Sequence, residues 1–147
     1  MSRAKIVALF PSVKKSLFIS SPETPGYNCV GFAAGDDTRW WWPQPPNVAY
    51  WPPGIPRALQ LSSFVALFAT LGYEDCDGEE FEDGFEKIVI FADANGTPTH
   101  VARQVASGSW TSKLGPLEDI RHSLRGLLGG PYGHIVRFMR RRRQDAR

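Results

Sequence analysis

Lys87-Ile88-Val89-Ile90-Phe91, Asp93-Ala94-Asn95-Gly96-Thr97-Pro98, His100-Val101-Ala102-Arg103-Gln104-Val105, Ser107-Gly108, Trp110-Thr111-Ser112-Lys113-Leu114: this stretch decides the fold. Short runs rich in β-branched and aromatic residues, separated by Asp, Asn, Gly, Pro and Ser, read as strands joined by tight turns. Residues 87–114 are therefore expected to form an antiparallel meander.

Beyond it, Gly115-Pro116 closes the sheet, and Leu117, Ile120, Leu124 and Leu127-Leu128 recur at helical spacing. With Glu118 and Asp119 in the first turn, where the dipole favours them, an amphipathic helix is predicted there, ended by Gly129-Gly130-Pro131. Tyr132 to Met139 reads as a last strand. Upstream, Leu59, Phe64, Val65, Leu67, Phe68 and Leu71 predict a helix over 55–71, with Pro56 in its first turn and Gly72 past its end. A shorter helix begins at Asn28, carries Cys29, Val30, Phe32 and Ala33, and stops at Gly35. Residues 1–26 read as an extended lead-in with a short strand at Leu17-Phe18-Ile19.

Arg39-Trp40-Trp41-Trp42-Pro43, Pro45-Pro46 and Tyr50-Trp51-Pro52-Pro53 cannot form regular structure, because proline removes donors and restricts its predecessor. This segment is expected to fold over the body as a loop. Its rings either cap the core or wall a substrate cleft. The acidic segment from Glu74 to Glu86 lacks the ligand register of a calcium loop and reads as solvated.

The chain of 147 residues is long enough for one buried core, assigned to residues 1–139, with a basic tail over 140–147. Its net charge is only +2, and the tail supplies the excess, so the sequence argues against nucleic acid as a partner. The apolar run Ile6 to Phe10 is broken by Pro11, too short for an export signal or a bilayer span. A cytoplasmic protein without membrane contact is expected. No pair among the cysteines and histidines has zinc-ligand spacing, and no cofactor is implied.

Two residues carry the chemistry. A thiol is only a few per cent ionised at neutral pH. Cys29 at a helix N-terminus would meet unpaired amide groups and a positive partial charge, and His100 on the sheet would complete a thiolate-imidazolium pair. The imidazole needs an orienting partner. Ser112, or Thr111 beside it, lies across the turn, and Gln104 is a weaker alternative on the same strand. Asn28 and the helix amides would form an oxyanion hole, with Trp40, Trp41 and Trp42 as the substrate wall. His122 and His134 read as surface or packing residues, and Cys76 among carboxylates as a poor nucleophile.

A helix bearing cysteine, a strand, a strand opening on His100-Val101, a glycine turn and a third strand with Ser112: this order resembles the NlpC-type branch of the papain-like cysteine peptidases. The resemblance implies a papain-like α+β fold, with an N-terminal helix carrying the cysteine packed on a small antiparallel sheet and further helices around it. It also implies Cys29 as nucleophile, His100 as base and Ser112 as the third polar residue. The expected activity is that of a cysteine hydrolase, an amidase or peptidase working through a thiol acyl-enzyme on a peptide or peptidoglycan-type amide. The fuller pattern is similar to a family of uncharacterised bacterial proteins: Tyr27-Asn28-Cys29, Gly35-Asp36-Asp37-Thr38-Arg39-Trp40-Trp41-Trp42-Pro43, Arg103-Gln104 and Trp110-Thr111-Ser112-Lys113-Leu114-Gly115. The competing reading is a non-catalytic module that binds another protein through the Trp/Pro-rich loop, with Cys29 simply packed.

Overall fold

The computed structural model describes residues 2–14, 16–21, 26–105, 108–116, 118–128 and 130–143. Its strands are β1 (Phe18–Ser21), β2 (Glu74–Asp75), β3 (Phe85–Ala92), β4 (Pro98–Gln104), β5 (Trp110–Lys113), β6 (Asp119–His122) and β7 (His134–Arg142). They form one sheet in the order β1-β6-β5-β4-β3-β7-β2, with every neighbouring pair antiparallel. The helices are α1 (Ser2–Leu9), α2 (Cys29–Ala34) and α3 (Leu61–Thr70), with 3₁₀ turns at Pro11–Val13 and Leu124–Leu127.

β3 is buried from Lys87 to Ala92 without alternation, because both of its faces are covered. On one face Ile88, Ile90, Val101 and Met139 pack against α2, α3 and the Trp/Pro-rich loop. On the other, Val89, Phe91, Ala102, Trp110 and Ile120 pack against Ile6 and Phe10 from the N-terminal segment and against Leu124 and Leu127. The loop belongs partly to the first core. Trp51 is 1% exposed, its ring lies 5.4 Å from Phe64, and its Nε1 donates to Pro56 O.

The meander over 87–114 is found as β3, β4 and β5, the short helix as α2, and the last strand as β7. The papain-like α+β arrangement is overturned. A seven-stranded antiparallel sheet dominates the molecule, and the Cys29 helix is six residues long and second in order rather than N-terminal. The helix expected over 117–128 is instead β6 followed by a 3₁₀ turn. Ile120 and His122 are buried while Arg121 between them is exposed. That period of two lets β6 pair with β5 and β1 on its two sides. Residues 55–60 remain irregular ahead of α3, with Leu59 exposed, and the N-terminal lead-in contains α1.

The basic tail expected from residue 140 starts inside the sheet, since Arg140, Arg141 and Arg142 belong to β7. The acidic segment answers it rather than standing free in solvent. Glu74 and Asp75 pair with β7 as β2, Arg137 bridges to Asp75 at 3.0 Å, Arg141 to Glu86 at 2.7 Å, and Arg140 to Glu82. Residues 144–147 lie outside the described residues.

Candidate active site

α2 starts where it does because Asn28 caps it. Its Oδ1 accepts from Gly31 N at 3.2 Å, while Gly35, at φ 89°, closes the other end in the left-handed region. The same side chain clamps the loop: Trp41 N–H donates to Oδ1 at 2.9 Å, and Nδ2 donates to Trp41 O at 2.7 Å. Gly31 leaves room for this, since a Cβ there would stand 2.9 Å from Arg39 O and 3.1 Å from Trp41 Cδ1. Asn28 is thus committed to holding the helix and loop together, rather than waiting as an oxyanion donor.

Cys29 follows the cap and is 5% exposed. Burial pushes its thiol up to about 11, against partial relief from backbone hydrogen bonds of Val101, Val30 and Cys29 itself and from the Lys113 charge. The ready-made thiolate expected from the sequence is therefore corrected: at rest the sulfur holds its proton, because desolvation outweighs a helix of only six residues.

β4 and β5 are paired at Arg103↔Thr111 and Gln104↔Trp110, whereas β5 stays paired with β6 out to Lys113↔Asp119. Toward Thr99, β4 parts from β5, and side chains bridge the fork. His100 Nε2 and Ser112 Oγ are 2.9 Å apart, Ser112 Oγ and His122 Nε2 2.8 Å, and His122 Nδ1 and Ser123 O 2.7 Å. The His100 ring is fully buried, stacked on Tyr132 with centroids 4.0 Å apart and planes 3° from parallel, and it also meets Phe91. Its Nδ1 is buried without a hydrogen-bond partner. Desolvation, then the neighbouring His122, holds His100 well below the ordinary histidine value, and desolvation takes His122 down to about 4. Both rings are neutral at physiological pH.

The thiol and the imidazole approach the fork from its two sides. Val101, whose backbone hydrogen bonds to the sulfur, packs in the Cys29 core, while the ring of His100, the preceding residue, points to the opposite face. Among the described residues no hydrogen bond joins the sulfur to His100. Tyr132 connects the two environments, stacking on the imidazole and lining the same cavity as Cys29. That cavity, about 270 Å³, is walled by Trp40, Trp42, Gln44, Thr99 and Gly115, with Asn28 and Cys29 at its base.

The sequence-derived candidates separate accordingly. Cys29, Asn28, Trp40 and Trp42 meet at the cavity, and His100 and Ser112 meet each other across the fork. Trp41, adjacent to both wall tryptophans, turns into the core at 7% exposed and donates from Nε1 to Asp36 at 2.8 Å. Gln104 lies at the far end of β4, donating to Glu79 O and Gly108 O, and Thr111 bonds to Arg103 O. Sequence reasoning missed His122, Tyr132 and Lys113. The alternation of Ile120 and His122 was the available signal for the first. Lys113 is buried on the Cys29 side, its Nζ 4.8 Å from the Tyr27 ring, and desolvation lowers its pKa. Cys29 and Cys76 are both free thiols. No group of three or more His, Cys, Asp or Glu among the described residues is placed to hold a metal.

Residues 18–140 match the family model DUF7689, a domain of unknown function. The chain belongs to that family. The match covers β1 to β6, β7 as far as Arg140, and every residue that lines the cavity. It carries no link to the NlpC-type peptidases. No curated protein and no solved structure matches the chain. No helix among the described residues is long and apolar enough to cross a membrane.

Proposed function

We propose that this DUF7689 protein is a cysteine-dependent acyl hydrolase that attacks the carbonyl of an amide, with a peptide or protein as substrate. The observation that carries the reading is the buried, unpartnered Nδ1 of His100, one residue from the Val101 backbone that hydrogen bonds to the Cys29 sulfur. A buried polar atom without a partner is uncommon. Here it is a lone pair on a ring stacked against Tyr132, which also lines the cavity that holds the thiol.

Because both groups are neutral at rest, the chemistry is general-base catalysis rather than attack by a stored thiolate. Substrate entering the cavity brings its carbonyl to Cys29. As the sulfur bonds to the carbonyl carbon, the thiol proton passes to His100 Nδ1 through the fork, where β4 has parted from β5 and Tyr132 joins the two sides. The C–N bond breaks, the leaving amine takes that proton, and the acyl group stays on sulfur as a thioester. Water then bonds to the same carbon, gives a proton to His100, and the C–S bond breaks with the proton returning to Cys29. The rings of Trp40 and Trp42 suit an apolar or aromatic side chain next to the scissile bond.

The test is turnover of p-nitrophenyl acetate, a small activated acyl donor, by the full chain. Wild type is expected to release nitrophenol, Cys29→Ala to lose the activity, and His100→Ala to slow it by about 10²-fold or more. Activity indifferent to both substitutions would remove the hydrolase and leave the cavity as a binding cleft between the wall tryptophans.

A further inference from the structure

The hydrogen bonds that bridge the fork run in one direction, and a backbone carbonyl sets that direction. Ser123 O only accepts, so His122 Nδ1, 2.7 Å away, carries a proton and donates it. A neutral imidazole protonated on Nδ1 has a bare Nε2, so the contact of 2.8 Å to Ser112 is made by the serine hydroxyl donating. That uses the only proton on Ser112 Oγ. The contact of 2.9 Å to His100 must then be His100 Nε2–H donating to Ser112 Oγ, and Nδ1 of His100 is left bare. His100, Ser112 and His122 are all buried, so water does not compete for the bonds among them. The Ser123 end is itself held, with Ser123 N–H donating to Ser16 Oγ at 3.1 Å.

We infer that His122 is a positioning residue: through Ser112, and anchored on the Ser123 carbonyl, it keeps the proton of His100 on Nε2 and the lone pair on Nδ1. The inference rests on the proposed function for its catalytic meaning, because Nδ1 is the atom there assigned to take the thiol proton. Stacking on Tyr132 holds the ring plane, and the relay holds its protonation pattern. Within this relay only His100 is assigned a direct part in the reaction, and Ser112 and His122 act through it.

The experiment is NMR of the full chain with ¹⁵N-labelled histidine at neutral pH, reading which ring nitrogen carries each proton. Wild type should show His100 protonated on Nε2 and His122 on Nδ1. His122→Phe fills the space but removes the acceptor, so the freed Ser112 hydroxyl turns to donate to His100 Nε2 and the proton moves to Nδ1. His122→Gln restores an acceptor oxygen and should keep the wild-type pattern. Ser112→Ala, a smaller change, should leave His100 a mixture of both tautomers. In parallel, His122→Phe should reduce kcat for p-nitrophenyl acetate with KM unchanged, and His122→Gln should recover it. A wild-type His100 protonated on Nδ1, or a His122→Phe protein whose His100 is still protonated on Nε2, overturns the inference. Absence of acyl transfer from the wild-type protein itself would instead overturn the proposed function, while the tautomer readings still decide the relay.

Discussion

Titrating Cys29 tests the charge state on which the mechanism turns. The thiol sits at about 11 against an ordinary 9.0, with burial as the leading cause. Two units mean about a hundredfold less thiolate at any pH below 9 than an exposed cysteine would have. The shift also has a sign in stability. Between pH 9 and 11 the unfolded chain gives up this proton while the folded chain keeps it, so the native state loses about 2–3 kcal/mol across that window and nothing below it. The assay is iodoacetamide labelling of a Cys76→Ser protein over a pH series, followed by mass spectrometry. The logarithm of the Cys29 rate should climb with unit slope through pH 9 and flatten only near 11. Its shape carries the result, since limited access scales every point equally. A rate already flat between pH 6 and 8 would reveal a stored thiolate and refute the argument from burial.

Other perturbations follow from the same geometry. Acid should act on the buried histidines: His122 titrates at about 4 in the fold and at 6.5 when released, so stability is whole above 6.5 and falls by about 3 kcal/mol as pH drops towards 4. His122→Gln should make that limb of a urea-midpoint profile against pH shallower, with the buried His100 supplying what remains. Gly31→Ala would push a methyl to within 2.9 Å of Arg39 O, and a loss of about 1–3 kcal/mol with weakened docking of the loop is expected from thermal melts. Gly35→Ala, by contrast, meets no atoms but must hold φ 89°, for about 1–2 kcal/mol. Trp51→Ala should cost about 3–5 kcal/mol in chemical denaturation, because that ring fills the core under the loop.

The meander was legible because Lys87 to Lys113 carries its own turns: Gly96 and Gly108 both adopt positive φ between neighbouring strands. The Cys29 helix was legible from its own cap and stop, Asn28 and Gly35. What sequence could not supply was the partner of each remaining segment. Ile120, Leu124 and Leu127 have the same spacing whether they line one helix or a strand followed by a 3₁₀ turn. β1, far away in the chain, completes the pairing that decides between them. Reading that segment as a helix also hid His122, which only a strand brings to Ser112. The arginines from Arg140 read as a free tail because their carboxylates, Glu74, Glu82 and Glu86, lie well upstream. Consecutive tryptophans divide between cavity and core in a way no composition shows: Trp40 and Trp42 line the wall, and Trp41 turns inward. The protonation of Cys29 was equally hidden, since motif and spacing place a thiol at a helix start but do not say how dry the site is.

The central claim is that Cys29 carries an acyl group in the reaction. Quenching the full chain within one turnover of p-nitrophenyl acetate and mapping its peptides by mass reads this directly. The acetyl mass should be on the peptide containing Cys29 in wild type and be strongly reduced in His100→Ala. An acetyl group found only on lysines or on Cys76, at the same level in both proteins, would contradict it.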